Sequence, residues 1–338
     1  MSTILITGAA GFIGAHLGAR LARDGHAVCG VDNFNSYYAP SLKRERLAAL
    51  WAPLGLHCER LDVAQGGALS AWLQGRPIDL VIHLAGQPGV RHSLRAPMDF
   101  VQGNLLGFGE VLEACRQHGV PRLFYASSSS VYGERNHAPF LEDERVDRPA
   151  SFYAATKAAN ELMAHAWSRQ FGLRCLGLRF FTVYGRWGRP DMAVWNFTQR
   201  VMAGQPVTLY DGGRLERDFT CVDDVVAAVS ALVRSGAPGD GAEVLNIGHR
   251  QPHRVSELLA SIEQAVGRRA LVDDRPAPPS EVPLTCADDT RLRAWIGDWP
   301  HTPLSQGVAE VVDWMRGRCA PPVGDQPSSL QSTTLLVS

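Results

Sequence analysis

The apolar and polar positions in the first half of the chain predict strands and helices in alternation. Short apolar runs, typical of buried strands, lie at residues 3–7, 27–31, 80–84, 123–126 and 174–179. Longer stretches with helical periodicity lie at residues 12–23, 98–118 and 153–171. Buried strands that alternate with long helices are typical of a doubly wound parallel sheet, so we predict an α/β fold.

The pattern changes after Phe181. Glycine and arginine dominate the stretch from Tyr184 to Pro190, which predicts a loop. A helix at about 194–203 and a short strand at 207–210 are expected to follow. The apolar helix expected at 222–233 would return to the sheet, and small helices should occupy much of the remaining chain.

A glycine-rich turn follows the first predicted strand and opens the first helix. In this context the spacing of Gly8, Gly11 and Gly14 is typical of a Rossmann dinucleotide site. Gly8 would permit the tight turn, Gly11 the approach of a pyrophosphate, and Gly14 close packing of helix and strand. The first helical turn, at Phe12 and Ile13, would face the phosphates. A purely structural glycine turn is the alternative.

Residues at the ends of the other strands extend the predicted cofactor site, because ligands gather at the carboxyl ends of parallel strands. Asp32 closes the second strand, where a carboxylate accepts the ribose hydroxyls and repels a 2′-phosphate, which favours NAD over NADP. Asp32 could instead cap a loop, and Asp62 could belong to a simple turn. We also assign to this site Asn33, Asp62, Val63, Leu84, Ala85, Gly86 and Asn104, although a plain helical asparagine is an alternative for the last.

Tyr153 and Lys157 are spaced to share one face of a helix, and a run of four serines precedes them. A nearby ammonium lowers the pKa of a phenol, and a change from about 10 to about 7 requires roughly 4 kcal/mol, which we expect a partly desolvated Lys157 and the positive nicotinamide ring to supply together. With the glycine turn, this pattern predicts a nicotinamide enzyme that removes a hydride from an alcohol, with Tyr153 and Lys157 as catalytic residues. The alternatives are a surface tyrosine and lysine, and a polar strand end.

Composition narrows the classes of function. Lys43 and Lys157 are the only lysines in the chain, so a lysine four residues after Tyr153 is not expected by chance. Seven cysteines without a C-x-x-C motif argue against a disulfide framework or zinc site, and the eleven histidines show no ligand spacing, so we predict no metal. The net charge of -1 indicates neither nucleic acid nor membrane as a partner. Without an apolar leader or a membrane-length apolar run, we expect a cytoplasmic protein.

Five motifs identify a family resemblance. T-G-x-x-G-F-I-G, H-L-A-x-Q, S-S-S-x-V-Y-G, Y-x-x-x-K and R-D-F-x-x-V-D-D resemble the extended short-chain dehydrogenases/reductases, which act on nucleotide sugars. The likeness runs from about residue 4 to about residue 314. The stretches 32–38, 125–133 and 179–192 are similar to UDP-glucuronate 4-epimerases, which interconvert UDP-glucuronate and UDP-galacturonate.

The resemblance implies a mechanism. Tyr153 would act as general base toward the sugar 4-hydroxyl, Lys157 would tune it and hold the nicotinamide ribose, and Ser128 would relay the proton. NAD would take the C4 hydride and return it to the opposite face of a 4-keto sugar, without net redox change. The sugar carboxylate must be held so that the 4-keto sugar does not lose CO₂.

The resemblance also implies substrate contacts and a homodimer. Ser129, Ser130 and Thr182 would hold the carboxylate, and Arg189 would join them or grip the diphosphate. Arg217 would bind the diphosphate; a surface salt bridge with Asp218 or Glu216 is the alternative. The homodimer would form through the helices at about 98–118 and 153–171, whose apolar positions Leu105, Leu112, Leu162 and Ala166 could equally belong to the core.

Three rivals remain open. Related decarboxylases usually carry Glu where Ser130 stands, and UDP-galactose epimerases usually carry Asn where Thr182 stands. This chain carries neither that Glu nor that Asn, which favours a uronate epimerase over a UDP-glucuronate decarboxylase or a UDP-glucose/galactose 4-epimerase. A non-catalytic NAD-sensing regulator is the rival from another class. Two departures from the subfamily pattern are Arg186, in place of a common Pro, and residues 278–281, in place of Q-P-G-D.

We therefore predict two parts of the chain and a tail. An NAD-binding Rossmann domain would comprise residues 1–180 and about 221–248. A smaller, discontinuous C-terminal substrate lobe would comprise about 181–220 and 249–318. Residues 319–338 would form a disordered tail, because the segment is rich in Pro, Ser and Thr.

Overall fold

The computed structural model describes residues 1–135, 137–278 and 281–319. The predicted tail lies outside these residues from position 320 onward, and residue 319 ends the last helix. The strands are β1 (Thr3–Thr7), β2 (Ala27–Asp32), β3 (Cys58–Arg60), β4 (Leu80–His83), β5 (Arg122–Ser128), β6 (Arg174–Phe180), β7 (Thr182–Tyr184), β8 (Pro206–Tyr210), β9 (Glu216–Cys221), β10 (Ala242–Ile247), β11 (Pro252–Arg254) and β12 (Leu271–Arg275). The helices are α1 (Phe12–Arg23), α2 (Pro40–Leu50), α3 (Ala68–Leu73), α4 (Val90–Arg95), α5 (Pro97–Phe100), α6 (Gly107–Gln117), α7 (Phe152–Phe171), α8 (Ala193–Ala203), α9 (Val222–Ser235), α10 (Val255–Val266), α11 (Thr290–Ile296) and α12 (Leu304–Cys319).

A seven-stranded parallel sheet forms the centre of the molecule, which confirms the predicted fold class. Its strand order is β10-β6-β5-β4-β1-β2-β3, and each neighbouring pair is parallel. The order reverses direction between β1 and β4, and such a reversal opens a crevice at the carboxyl ends of the strands. The sheet thus has the topology expected to hold a dinucleotide.

Two apolar layers cover the sheet. One contains α1, α9 and α11 packed over residues such as Ile4, Ile6 and Phe124. The other contains α3, α6 and α7 packed over Leu5, Val81 and Leu123. Because successive strand residues point to opposite faces, a strand buried on both sides is mostly apolar, as β1 and β4 are apart from the residues at their ends.

A smaller assembly of elements follows β6. The strands β7, β9 and β11 form one sheet, and β8 pairs with β12 in another. Helices α8, α10 and α12 share an apolar cluster with these strands, which includes Phe197, Leu258 and Val311. The predicted division into two domains stays a prediction, although β10, from the segment 221–248, does lie in the central sheet beside β6.

The helix predicted at 98–118 is not one continuous α-helix. It consists of α5, a π-helical segment at Val101–Leu106, and α6. Apolar spacing does not distinguish a π turn from an α turn, since the inserted residue leaves both flanking helices periodic. π segments occur frequently at functional sites, and this one contains the buried Asn104. The predicted loop at 184–190 also differs, because Tyr184 is the last residue of β7.

Candidate active site

A cavity of about 920 Å³ opens at the carboxyl ends of β1, β2, β4 and β5. It is lined by every residue assigned to a site from the sequence except Asn104 and Arg217. The lining residues from that prediction are Gly8, Gly11, Phe12, Ile13, Gly14, Asp32, Asn33, Asp62, Val63, Leu84, Ala85, Gly86, Ser128, Ser129, Ser130, Tyr153, Lys157, Thr182 and Arg189. The fold therefore brings residues from most of the chain to one chamber.

The glycine turn lies where β1 meets α1. Gly8 has φ 71°, and a Cβ there would lie 2.6 Å from the amide nitrogen of Ala85, so a side chain is excluded on both counts. A Cβ on Gly14 would lie 2.3 Å from the carbonyl oxygen of Gly8. Gly11 precedes the first helical turn of α1 without a side-chain cap. The uncapped amides and the positive end of the helix dipole suit a pyrophosphate, so this turn fits the cofactor expected from the sequence.

Asp32 is buried at the end of β2, with both carboxylate oxygens in use. Oδ2 accepts from the amide of Ala10 at 3.2 Å, and Oδ1 accepts from the amide of Phe34 at 2.7 Å. Oδ1 also accepts from Nζ of Lys43, at 3.3 Å. These bonds fix the carboxylate at the cavity wall, where its remaining lone pairs suit ribose hydroxyls.

Asn104 does not line the cavity. Its side chain instead fixes the position of the segment after β4, which does line it. Its side chain accepts from the amide of Gln87 at 2.7 Å, and donates to the Gln87 carbonyl at 3.1 Å and to Thr156 Oγ1 at 3.0 Å. Gly86, next to this contact, has φ 156°, and a Cβ there would lie 2.9 Å from Asn104 Oδ1. The π-helical segment thus directs the side-chain amide of Asn104 toward the backbone at Gln87, where it fixes the segment after β4.

The first turns of α7 carry the tyrosine and lysine to the end of β5. Ser151 caps this helix by accepting from the amide of Ala154 at 3.1 Å. Lys157 is buried and donates from Nζ to the carbonyl oxygen of Ala126 at 2.9 Å. Ser128, two residues further along β5, donates to Ser130 Oγ at 3.2 Å. The predicted catalytic residues therefore line one wall of the cavity.

The pKa of Tyr153 depends on its burial and on two neighbouring side chains. Burial raises the pKa of this phenol above its usual value, while the hydroxyl of Ser128 and the charge of Arg189 act in the opposite direction. Burial also lowers the pKa of Lys157 to about 8. Desolvation disfavours the charged form of each group. The lowered phenol pKa, which was expected with the positive nicotinamide ring in place, stays a prediction.

His83, at the end of β4, is a structural residue. Its Nδ1 lies 2.7 Å from Thr7 Oγ1, across the two central strands. Burial, with the nearby charge of Lys157, lowers the pKa of His83 to about 3. The imidazole is therefore neutral at physiological pH, and its hydrogen bond joins β1 to β4 beneath the cavity.

The residues expected to bind substrate divide into two places. Ser129, Ser130 and Thr182 line the cavity close to the end of β5, and Arg189 lines it from the loop after β7. Arg217 does not line this cavity: its Nη2 donates to Glu281 at 2.9 Å. Neither Asp218 nor Glu216 provides the side-chain partner that we considered.

Sequence reasoning missed several cavity residues. Tyr37, from the segment between β2 and α2, and Lys43, from α2, both line the cavity. Lys43 had a signal, because it is one of two lysines in the chain. Tyr37 had a signal as well, because it lies in the stretch 32–38 that resembles the epimerases, but its contact with Asp191 joins segments that are distant in sequence.

The chemistry available here is proton transfer beside a dinucleotide. A phenol, an ammonium and hydroxyls face one chamber that begins at a phosphate-binding turn. In the part of the chain that the structure describes, no group of three or more His, Cys, Asp or Glu side chains is arranged for a metal ion. Across those same residues, no helix has the length and apolarity needed to span a membrane.

Comparison with known proteins gives consistent results. Residues 4–248 match the model of the NAD dependent epimerase/dehydratase family. The chain is 41% identical to Protein CapI of Staphylococcus aureus, over 92% of this chain and 97% of that protein. It is 39% identical to UDP-glucuronate 4-epimerase 3 of Arabidopsis thaliana, over 93% of this chain and 76% of that protein.

A solved structure shows the same fold. UDP-glucuronic acid 4-epimerase from Bacillus cereus, in complex with UDP-glucuronic acid and NAD, superposes with a TM-score of 0.87 at 32% identity. The match covers 94% of this chain and 99% of that one. With the family model matching most of the chain, the protein belongs to the NAD dependent epimerase/dehydratase family of extended short-chain dehydrogenases/reductases.

Proposed function

We propose that the protein is an NAD-dependent 4-epimerase that interconverts UDP-glucuronate and UDP-galacturonate with the carboxylate retained. The observation that carries this proposal is the single cavity in which the glycine turn, Asp32, Tyr153, Lys157 and the serine run meet. The relatives named for the same reaction cover nearly the whole described chain. An NAD site at the glycine turn and Asp32 fits these residues.

The residues of the chain would move one proton at the sugar 4-oxygen. Tyr153 accepts that proton and later returns it, and Ser128 relays it between the two oxygens. Lys157 stabilises the phenolate by its charge. When bound, NAD supplies a reversible acceptor for the C4 hydrogen, so no external reductant is needed. These roles require reach and protonation states suited to the working pH.

The sugar carboxylate of the substrate would be held by hydroxyl and backbone amide donors, without an acidic side chain of the protein. Ser129, Ser130 and Thr182 line the wall next to Tyr153. A 4-keto sugar with a carboxylate at C5 is a β-keto acid, which loses CO₂ when the C–COO⁻ bond aligns with the carbonyl π system. Donors that hold the carboxylate out of this alignment favour epimerisation over decarboxylation.

Product analysis tests this function. Purified protein is incubated with UDP-glucuronate and no added reductant, and the nucleotide sugars are separated and identified. We expect UDP-galacturonate, inverted at C4 and with its carboxyl group intact. A UDP-pentose product would instead identify a decarboxylase, and turnover of UDP-glucose alone would identify a neutral-sugar epimerase.

A Tyr153→Phe variant tests the role of the phenol. Removal of a general base typically costs 10²- to 10⁴-fold in rate, so turnover should fall by about that factor while NAD remains bound. If the variant turned over at the wild-type rate, the assignment of Tyr153 would be wrong. If neither protein turned over any UDP-sugar although NAD bound, a non-catalytic NAD-sensing regulator would be the better interpretation.

We also propose a homodimer. Leu162 on α7 is 73% exposed, and Met98 and Leu106 on the neighbouring helical segments are also exposed. Ala166 is exposed as well, whereas Leu112 is fully buried and belongs to the core. Such clustered apolar positions favour an interface. Light scattering of the purified protein measures its mass directly and so tests the homodimer.

The cytoplasmic location stays a prediction.

A further inference from the structure

Arg189 is the one arginine among the described residues that line the cavity. Its charge acts on Tyr153, which it favours in the ionised form. A guanidinium in this position can meet an anionic oxygen of a nucleotide sugar. The direction in which the guanidinium can bind a ligand depends on which of its N–H donors are already hydrogen-bonded within the protein.

Asp191 uses one edge of this guanidinium. Nε of Arg189 donates to Asp191 Oδ1 at 3.0 Å, and Nη2 donates to Oδ2 at 2.6 Å. This bidentate ion pair fixes the plane of the Arg189 guanidinium, because its two hydrogen bonds to the carboxylate must stay parallel. Nη1 and one hydrogen of Nη2 remain for a ligand.

Tyr37, which also lines the cavity, contacts Asp191 from a distant segment of the chain. Its hydroxyl donates to Asp191 Oδ2 at 3.0 Å, and thereby joins the segment after β2 to the loop after β7. The Tyr37 ring packs on His92, with 4.9 Å between centroids. A Cβ on Gly89 would lie 2.6 Å from the Tyr37 hydroxyl, so this glycine leaves the room that the contact needs.

We propose that Asp191 and Tyr37 are positioning residues that direct Arg189 toward an anionic group of the bound nucleotide sugar. The inference rests on the proposed function for the identity of the substrate. It assigns to the segment after β2, which directly follows Asp32, a role in binding the substrate. Neither positioning residue is expected to touch the reacting atoms.

Two anionic groups of UDP-glucuronate fit this chemistry, the diphosphate and the sugar carboxylate. Ligand binding by calorimetry distinguishes them, with UDP and UDP-glucuronate as separate probes. Weaker binding of both in Asp191→Asn places the diphosphate at Arg189. Weaker binding of UDP-glucuronate alone places the carboxylate there.

The expected losses follow from the number of bonds affected. In Asp191→Asn, the dissociation constant of UDP-glucuronate should rise about tenfold, because one charged hydrogen bond to Arg189 is lost. In Tyr37→Phe, it should rise about threefold, because the carboxylate stays and only its support is removed. Unchanged affinity for both probes in Asp191→Asn would overturn the proposal.

Epistasis separates positioning from a general effect on the fold. In an Arg189→Gln background, Asp191→Asn should cause no further loss of UDP-glucuronate affinity, because nothing remains to be positioned. An additional loss of full size there would show that Asp191 acts through the fold, and would overturn the proposal. The affinity for NAD should stay within twofold of wild type in each variant.

The chain offers a matched control. Arg145 and Asp147 form an ion pair with the same Arg-x-Asp spacing, but both side chains are exposed, at 86% and 49%. Asp147→Asn should leave the affinity for UDP and UDP-glucuronate unchanged. If wild-type protein bound UDP but not UDP-glucuronate, the proposed function would fail, whereas the effect of Asp191→Asn on UDP would still decide the role of Asp191.

Discussion

Replacement of Lys157 by methionine should abolish turnover and at the same time stabilise the protein at neutral pH. Burial lowers the pKa of Lys157 from 10.5 to about 8. That difference corresponds to roughly 3 kcal/mol by which the buried ammonium destabilises the native state at pH 7. The lost hydrogen bond to Ala126 offsets about 1 kcal/mol of the gain, so a net stabilisation of about 2 kcal/mol is expected.

The pH dependence has a definite sign. Between pH 8 and 10.5 the unfolded chain holds a proton on Lys157 that the native protein has released, so wild-type stability rises with pH in this window. Below pH 8 both states are protonated, and the full penalty is present. The stability advantage of Lys157→Met should therefore shrink by roughly 2 kcal/mol between pH 7 and pH 9.5.

Urea unfolding of cofactor-free protein at these two pH values measures the effect. Lys43→Met is the matched control, because Lys43 is the other lysine and is similarly buried, but pairs with Asp32. Its removal leaves a buried carboxylate without its cation, so this variant should be less stable than wild type. A Lys157→Met protein that was less stable at pH 7, or whose difference from wild type did not change with pH, would refute the reasoning.

Three other substitutions have defined outcomes. Glu161→Gln should reduce the free energy of unfolding by about 3–5 kcal/mol, because it leaves buried Arg179 without the carboxylate that it contacts at 2.7 and 2.9 Å; urea unfolding measures the loss. Asp32→Asn should weaken NAD binding and narrow the preference for NAD over NADP, which fluorescence titration with both cofactors tests. Thr182→Ala should raise the share of UDP-pentose formed from UDP-glucuronate, and an unchanged product ratio would contradict the role in holding the carboxylate.

The sequence was sufficient for the parts of the site that follow from local rules. The turn at Gly8 needs glycine because of its positive φ, and the preceding strand and following helix are clear from periodicity. Strand ends meet at one edge of a parallel sheet, so Asp32 and the segment at Leu84 could be placed together without coordinates. The spacing of Tyr153 and Lys157 places them on one helix face for the same local reason.

Contacts between distant segments could not be predicted in this way. The hydroxyl of Tyr37 meets Asp191 only because the fold brings two loops together, and neither loop has a periodic pattern. The direction of Asn104 depends on a π-helical segment that apolar spacing does not reveal. The pKa of Tyr153 also depends on burial, which the spacing of residues does not report.

The charges around the cavity show why Lys157 is exceptional. Asp32 is paired with Lys43, and Arg189 with Asp191, so these charges are neutralised by partners within the protein. Lys157 donates to a carbonyl oxygen, and no carboxylate of the described chain lies within ion-pair distance of it. An unpaired buried cation destabilises a fold, and methionine in its place would fill similar volume at lower cost. Its presence is therefore best explained by a charge that the reaction needs, which Tyr153 at the start of the same helix would use when it ionises.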